Sequence, residues 1–295
     1  MTAPRVSVIT PFVGEGALLV EAIESVRAQD ARDWELILVD DGSCDGSREI
    51  AARFAATDPA RIRLLDPDPR RHGAAAARNR GVRAASGEFV AFLDADDLFE
   101  RGKLRMEVPL LEANPDAALL YSRTRYWYPG RWGRDWTERL GVTGDCIHRP
   151  PTLLTRILLQ QKGDVPCTCG LLARRNAVLE VGGFEEDFAL YEDQTLLAKL
   201  FLAFPTFVSK GCHSRYRQHP ASTSARARAS GDYDPHRLHP AQDAFFDWLE
   251  GYVRANGSDG GVLAAIESAR AERRRPPPGR LRILASRVAR RLRPI

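Results

Sequence analysis

Phe89-Val90-Ala91-Phe92-Leu93-Asp94-Ala95-Asp96-Asp97-Leu98 is an apolar run that stops abruptly at three carboxylates. Phe89–Leu93 holds no polar residue, so it reads as a strand covered on both faces, as in a parallel sheet. Asp94, Asp96 and Asp97 then stand at its carboxyl end, the edge where open α/β sheets bind ligands. Carboxylates this close repel one another unless a cation or hydrogen-bond donors neutralise them. Asp94 and Asp96, with a small residue between them, suit a hard divalent ion that takes oxygen ligands and keeps waters and phosphates. They equally suit an acidic turn that caps the next helix. The choice between the two rests on what surrounds them.

Toward the N-terminus the same pattern repeats. Arg5–Phe12 alternates and ends at a loop, Val13–Gly16, and Leu19, Ala22, Ile23 and Val26 form a helical stripe within residues 17–29. Trp34–Val39 is a second strand, stopping at Asp40-Asp41-Gly42-Ser43. Asp45 or Ser47 is placed to cap a helix over Arg48–Ala56. Arg61–Leu65 predicts a third strand, and Gly73 leads into an Ala-rich helix that Gly87 closes. Residues 5–98 thus read β-α-β-α-β-α-β, which means a parallel sheet with right-handed crossovers. Each strand brings polar residues to one rim: Pro11 to Glu15, then Asp40 and Asp41, then Asp94 and Asp96. No G-x-G-x-x-G follows the first strand and no G-x-x-x-x-G-K-[ST] occurs, so neither a dinucleotide fingerprint nor a P-loop is present.

The second half predicts a helix over Lys103–Glu112 and a strand over Ala117–Ser122. Residues 121–150 read as an irregular aromatic stretch, with Tyr121, Tyr126, Trp127, Tyr128, Trp132 and Trp136 among arginines. Such rings suit stacking on a sugar or packing onto the body. A strand near Gly170–Ala173, a helix over Arg175–Val181 and a Gly182-Gly183-Phe184 turn follow. Asp193 opens a helix over Thr195–Phe204, where a first-turn carboxylate also complements the helix dipole. Phe207–Ser209 and His213–Arg217 read as two short strands, and Ala241–Asn256 and Val262–Arg275 as helices. The organisation expected is a main domain over residues 1–224, a helical extension over 225–275, and a proline linker with a basic tail over 276–295.

The composition, 44% hydrophobic and 28% charged, is that of an ordinary globular protein of 295 residues. No apolar run is long enough to span a bilayer and no signal-peptide layout opens the chain, so a cytoplasmic protein is expected. Five scattered cysteines argue for reduced thiols and against a disulfide framework, and Cys167-Thr168-Cys169 lacks further ligands at zinc spacing. The net charge of +4 hides an asymmetry. Residues 271–295 hold nine Arg against one Glu, which leaves residues 1–270 at −4, and a body of that sign gives little support to nucleic-acid binding.

With these residues in view the chain resembles the family 2 glycosyltransferases. The matching pieces are Val6-Ser7-Val8-Ile9-Thr10-Pro11, the Trp34–Ser43 stretch, Ala77-Arg78-Asn79-Arg80-Gly81, the Gly87–Asp97 stretch, Gly182-Gly183-Phe184 with Glu192-Asp193, and Tyr216-Arg217-Gln218-His219. They occur in the family's order over residues 5–224. The resemblance implies a GT-A, Rossmann-like α/β fold: a mostly parallel sheet flanked by helices, with a C-terminal helical appendage. It implies a non-processive, inverting transferase that moves one sugar from a nucleoside-diphosphate sugar, UDP first, to an acceptor hydroxyl on a glycan, a lipid-linked carrier or a small molecule. Pro11, Phe12, Glu15, Asp40, Asp41, Arg78, Asp94 and Arg217 would bind the donor nucleotide. Asp96, Asp94 and His219 would hold Mn2+ or Mg2+, and Asp193 would be the catalytic base. Two departures stand out: Phe12-Val13 replaces the Tyr-Asn often found after the first strand, and the Q-x-x-R-W motif of processive synthases is absent.

Two rivals share parts of this layout. A nucleotidyltransferase usually carries a basic Gly-rich loop after the first strand, and Val13-Gly14-Glu15-Gly16 has no basic residue. A non-catalytic carbohydrate-binding protein predicts a lost base or a lost Asp-x-Asp, and both are present. In the tail, Leu281, Leu284, Val288 and Leu292 recur on one helical face, with arginines filling much of the rest. A basic amphipathic segment of this kind can lie peripherally on the inner face of a membrane, dock on the acidic body, or stay disordered.

Overall fold

Strand and helix alternate from the first residues of the computed structural model, which describes residues 4–234, 238–257 and 260–274. β1 (Val6–Phe12), α1 (Ala17–Arg27), β2 (Trp34–Asp40), α2 (Ser47–Thr57), β3 (Ile62–Leu65), α3 (Ala74–Ala84) and β4 (Phe89–Phe92) follow one another. The four strands lie parallel in the order β3-β2-β1-β4. β1, β2 and β4 are buried at every residue, as their apolar runs predict for strands covered by helices on both faces. α1 buries the stripe read from the sequence, Leu19, Ala22, Ile23 and Val26. α3 lies very close to β1: a Cβ on Gly81 would stand 2.3 Å from Ile9 Cγ2.

Two local readings change. Gly87 does not close α3, which ends at Ala85 in extended conformation. Gly87 is glycine because a Cβ there would stand 2.8 Å from the Ser7 backbone nitrogen. Neither Asp45 nor Ser47 caps α2; the cap position is Gly46, in the left-handed region at φ 90°. Asp45 instead accepts from the Ser47 N–H at 3.1 Å, which shapes the turn ahead of the helix.

Beyond β4 come β5 (Leu98–Phe99), α4 (Lys103–Glu112), β6 (Leu119–Trp127), β7 (Trp136–Thr137), β8 (Cys146–His148), a π-helical turn over Leu154–Leu159, a 3-10 turn over Thr168–Gly170, β9 (Leu171–Arg174), α5 (Arg175–Glu180), α6 (Glu192–Ala203) and β10 (Thr206–Arg217). The sheet continues β4-β9-β6-β10-β5, with β7 on β6 and β8 on β10. β9 is antiparallel to both β4 and β6, whereas β6 and β10 are parallel, so this half of the sheet is mixed. The aromatic stretch is less irregular than its composition implies, because β6 runs on through Trp127. Arg123, Arg125 and Trp127 form one face of the strand and Thr124 and Tyr126 the other, a period of two masked by charge. The two short strands expected near 207 and 217 are one strand, β10, with register shifts on either side of Cys212.

The chain divides into two compact units, Met1–Pro220 and Ala221–Ile295. The second holds α7 (Thr223–Ser230), α8 (Pro240–Ala255) and α9 (Gly260–Arg274). Ser222 caps α7 by accepting from the Ala225 N–H. α8 buries Phe245, Phe246, Leu249 and Val253, and α9 buries Val262, Ile266 and Ala269. Arg270 of α9 pairs with Asp247 of α8 at 2.6 Å. The proline linker and the basic tail lie outside the described residues. Among the described residues no helix is long and apolar enough to cross a membrane. All five cysteines are free, and burial pushes the Cys167 and Cys169 thiols well up.

Candidate active site

The loop after β1 is tied to the loop after β2. Gly14 N–H donates to Ser43 Oγ at 3.3 Å and Gly16 N–H to Ser47 Oγ at 2.8 Å. Glu15, at the tip, accepts from the Val13 N–H at 2.6 Å. Partial burial pushes its carboxyl up to about 7; the charges of Asp96, Asp94 and Asp45 add to this, and the Val13 bond opposes it. Pro11 and Phe12 end β1 in the sheet, and Phe12 packs into the hydrophobic core. Phe12, expected among the donor-nucleotide residues, is only 2% exposed.

Asp40 and Asp41 close β2 with different tasks. Asp40 is buried, and its oxygens accept from the N–H groups of Gly42 (3.2 Å) and Ser43 (2.9 Å) and from Arg48 (3.1 Å). Burial would raise this carboxyl, but the bonds from Ser43, Arg48 and Gly42 outweigh it and hold it below the usual range. Asp40 thus builds the loop. Asp41 accepts from the Gly73 N–H at 2.8 Å, at the entry to α3, and His72 lies 3.8 Å from its other oxygen.

The turn after β4 is closed by the Asp97 N–H donating to the Asp94 carbonyl at 3.0 Å. Asp94 receives Arg78 Nη2 on one oxygen (2.6 Å) and the Thr168 hydroxyl on the other (3.2 Å). Asp96 faces His219 Nε2 at 2.9 Å. Burial first, and the Asp94 charge second, push the Asp96 carboxyl up, with His219 opposing. Asp97 is buried and accepts from the Arg217 N–H at 2.9 Å; burial and its two neighbouring carboxylates push it well up.

Arg78 ties this turn to the start of α6. Its guanidinium donates to Asp94 and, through Nη1, to Glu192 at 3.1 Å, while lying over the Phe184 ring at 5.4 Å. Its Nε–H is buried with no hydrogen-bond partner. The next residue, Asp193, sits in the first turn of α6 and accepts from the Gln194 N–H at 2.7 Å. Burial, then the Glu192 charge, push its carboxyl up to about 7 against the pull of the Gln194 bond and Arg78. Asn79 holds the loop that leads there. It accepts from Phe184 N–H (2.8 Å) and donates to Phe184 O (2.9 Å) and Glu186 (3.0 Å). Gly183 is required beside it, since a Cβ at that φ of 69° would stand 2.3 Å from Asn79 Oδ1.

The structure therefore brings Glu15, Arg78, Asp94, Asp96 and Asp193 into one electrostatically connected rim. Arg217 differs from expectation. Its guanidinium is buried, donating to Asp96 O (2.7 Å) and Glu21 (2.7 Å) beneath Trp127 (4.5 Å), so it braces the Asp96 backbone. Within the trio Asp94, Asp96 and His219, Asp96 and His219 pair with each other. Among the described residues no group of three or more His, Cys, Asp or Glu side chains is placed to hold a metal ion.

A family model described as glycosyl transferase family 2 matches residues 7–182, more than half the chain. The chain belongs to glycosyl transferase family 2. Among curated relatives of this family 2 chain, the protein named UDP-Glc:alpha-D-GlcNAc-diphosphoundecaprenol beta-1,3-glucosyltransferase WfgD of Escherichia coli is 38% identical over 109 residues, 37% of this chain and 42% of that one. The chain spans less than half the length of the curated relatives it matches. Among solved structures, S. aureus TarS 1–349 in complex with UDP aligns with a TM-score of 0.57 and 20% identity over 73% of this chain and 61% of that one. Mannosyltransferase PcManGT from Pyrobaculum calidifontis, in complex with GDP-Man and Mn2+, aligns with a TM-score of 0.54 and 20% identity over 99% of this chain and 82% of that one. These two likenesses establish the GT-A fold.

In this family 2 site, four contributors had not been given roles from sequence. Asn79 and Glu192 lie inside motifs legible in the chain, so their importance was readable although their partners were not. Thr168 carries no local signal; only the 3-10 turn before β9 sets its hydroxyl against Asp94. Glu138, just after β7, is buried and accepts from the N–H groups of Thr124 (2.9 Å) and Cys167 (3.1 Å). Burial pushes its carboxyl up to about 7. It supports the turn that carries Thr168.

Proposed function

We propose that this family 2 domain transfers one sugar from a nucleoside-diphosphate sugar, with UDP as the favoured nucleotide, to an acceptor hydroxyl with inversion at the anomeric carbon. The observation that carries the reading is the Arg78 bridge. One buried guanidinium joins Asp94, on the turn after β4, to Glu192, beside Asp193. Donor-side carboxylates and a base are thereby held on one frame. Asp193 acts as that base, because a carboxyl poised near 7 combines a useful fraction of base with a real affinity for the acceptor's proton. Asp41, at the carboxyl end of β2, accepts from the nucleotide base. The names of the relatives support this reading: TarS is described with UDP, PcManGT with GDP-Man, and WfgD as using UDP-Glc.

The donor set fits a divalent cation. Asp96 has its proton affinity raised by burial and by Asp94, and Glu15 is raised in part by the same two carboxylates, so the rim holds more negative charge than Arg78 and His219 offset. Asp96, with Asp94 and His219 beside it, would hold Mn2+ or Mg2+. When bound, such an ion stabilises the charge that develops on the leaving diphosphate. Meanwhile Arg217 braces the Asp96 backbone and Thr168 and Arg78 orient Asp94. The relatives' names further support a role in building cell-envelope glycans, with a lipid-linked acceptor among the candidates.

The test is Asp193→Asn. Release of nucleoside diphosphate from the donor in the presence of an acceptor panel should drop by about 10²–10⁴-fold, while calorimetric binding of UDP with Mn2+ stays unchanged. Full turnover in this variant removes Asp193 from the mechanism. Release of pyrophosphate by the wild type would show nucleotidyl transfer instead.

A further inference from the structure

The hairpin formed by β6 and β7 has a tip whose composition the transfer reaction does not use. Every residue from Pro129 to Trp136 is exposed, and Trp132 is 100% exposed. The tip is built, not slack. Tyr128 N–H donates to Asp135 at 3.0 Å, and Arg131 N–H to Tyr128 O at 3.0 Å. Gly130 and Gly133 take the left-handed conformations that the turns need, at φ 70° and 74°. At the base of the hairpin Trp136 stacks on Tyr126 with ring centroids 3.8 Å apart.

Charge sharpens the picture. Arg139 pairs with Asp164 and Lys210 with Asp145. By contrast, among the described residues no carboxylate lies within ion-pair distance of Arg123, Arg125, Arg131 or Arg134. Four guanidiniums without an ion pair thus accompany one wholly exposed indole, on a body whose residues 1–270 carry net −4. A fully exposed indole is costly in water, whereas at a lipid headgroup layer its ring meets apolar chains and its N–H stays hydrated. Guanidiniums there bind phosphates through paired N–H donors. Nucleic acid would also take the arginines, but the headgroup layer gives the indole apolar chains on one side and water on the other.

We propose that the β6–β7 hairpin docks the protein on an anionic lipid surface, with Trp132 entering the headgroup layer and Arg131 and Arg134 pairing with lipid phosphates. The roots of the hairpin reach the reaction rim. Trp127 lies 4.5 Å from Arg217, which donates to Asp96 O, and Glu138 holds the Cys167 N–H beside Thr168, which donates to Asp94. Docking would therefore set the rim beside the surface, whichever donor and acceptor are used.

The experiment uses the full chain, basic tail included, with phosphatidylcholine vesicles containing or lacking phosphatidylglycerol, and no substrate, so its outcome is independent of the transfer assay. Wild type should sediment with the anionic vesicles, and brominated phosphatidylcholine should quench its tryptophan fluorescence. Trp132→Phe should lose most of that quenching. Arg131→Gln with Arg134→Gln should lower the partition coefficient about 30-fold, the equivalent of about 1 kcal/mol per arginine at an anionic surface. Quenching unchanged in Trp132→Phe, partition unchanged in the double variant, or retention on single-stranded DNA without vesicle binding overturns the proposal.

Discussion

At the residue scale, Arg78 shows how a buried charge is made tolerable. Its side chain is 4% exposed, and two carboxylates raise its proton affinity against the cost of burial. Asp193, on the far side of Glu192, inherits the opposite problem, and transfer should respond to it. The rate at low donor concentration should climb as pH rises and level off above about 7, as Asp193 loses its proton. Glu138 offers a stability test. Its folded carboxyl keeps a proton up to about 7, against an ordinary value of 4.5, so unfolding releases a proton within that window. Stability should therefore fall by about 3 kcal/mol as pH rises from about 4.5 to about 7. Glu138→Gln should flatten this slope in urea titrations at several pH values. It should also lower stability at acid pH, because an amide NH2 replaces one of the oxygens that accept from Thr124 and Cys167.

At the scale of elements, the contact between α3 and β1 sets how closely a helix can lie on the sheet. Gly81→Ala improves helix propensity by up to about 1 kcal/mol. The new methyl group, however, has to enter space held by Ile9, 2.3 Å away, and Ile9 is fully buried in the central strand. Overpacking of this kind costs about 1–3 kcal/mol, so the net effect should be destabilising in denaturant titration. Pairing Gly81→Ala with Ile9→Val should recover part of the loss. If Gly81→Ala alone stabilises the protein, the close approach of α3 is not a constraint. The loop before α6 follows the same logic, with Asn79 filling the space that Gly183 leaves open.

For the whole molecule, the carboxyl ends of β1, β2 and β4 converge because parallel strands with helical crossovers all point the same way. β9 then runs antiparallel between β4 and β6 and brings Thr168 back to the same rim. A ligand that bridges these parts should stabilise the protein as a unit. UDP with Mn2+, at about 100 times its dissociation constant, should add roughly 2.7 kcal/mol, visible as a raised melting temperature. Asp96→Ala should abolish the Mn2+-dependent part of this rise. A larger rise with GDP than with UDP would reassign the nucleotide.

The sequence alone determined the alternating first half, the rim at Asp40, Asp41, Asp94 and Asp96, and Asp193 at the head of α6. Those features rest on local patterns: apolar runs that end at carboxylates, helical stripes, and glycines at turns. Tertiary structure alone decided which partners each carboxylate meets. Asp40 and Asp94 look alike in sequence, yet one is consumed by Gly42, Ser43 and Arg48 while the other meets Arg78 and Thr168. It also decided that Arg217 faces Asp96 O, Glu21 and Trp127, and that β6 continues through Trp127 into an exposed basic hairpin. The physical reason is separation along the chain. Arg78, Thr168, Glu192 and Arg217 make their bonds at the rim across separations of 16 to 121 residues, and no periodicity records which distant side chain will fill a carboxylate's lone pair.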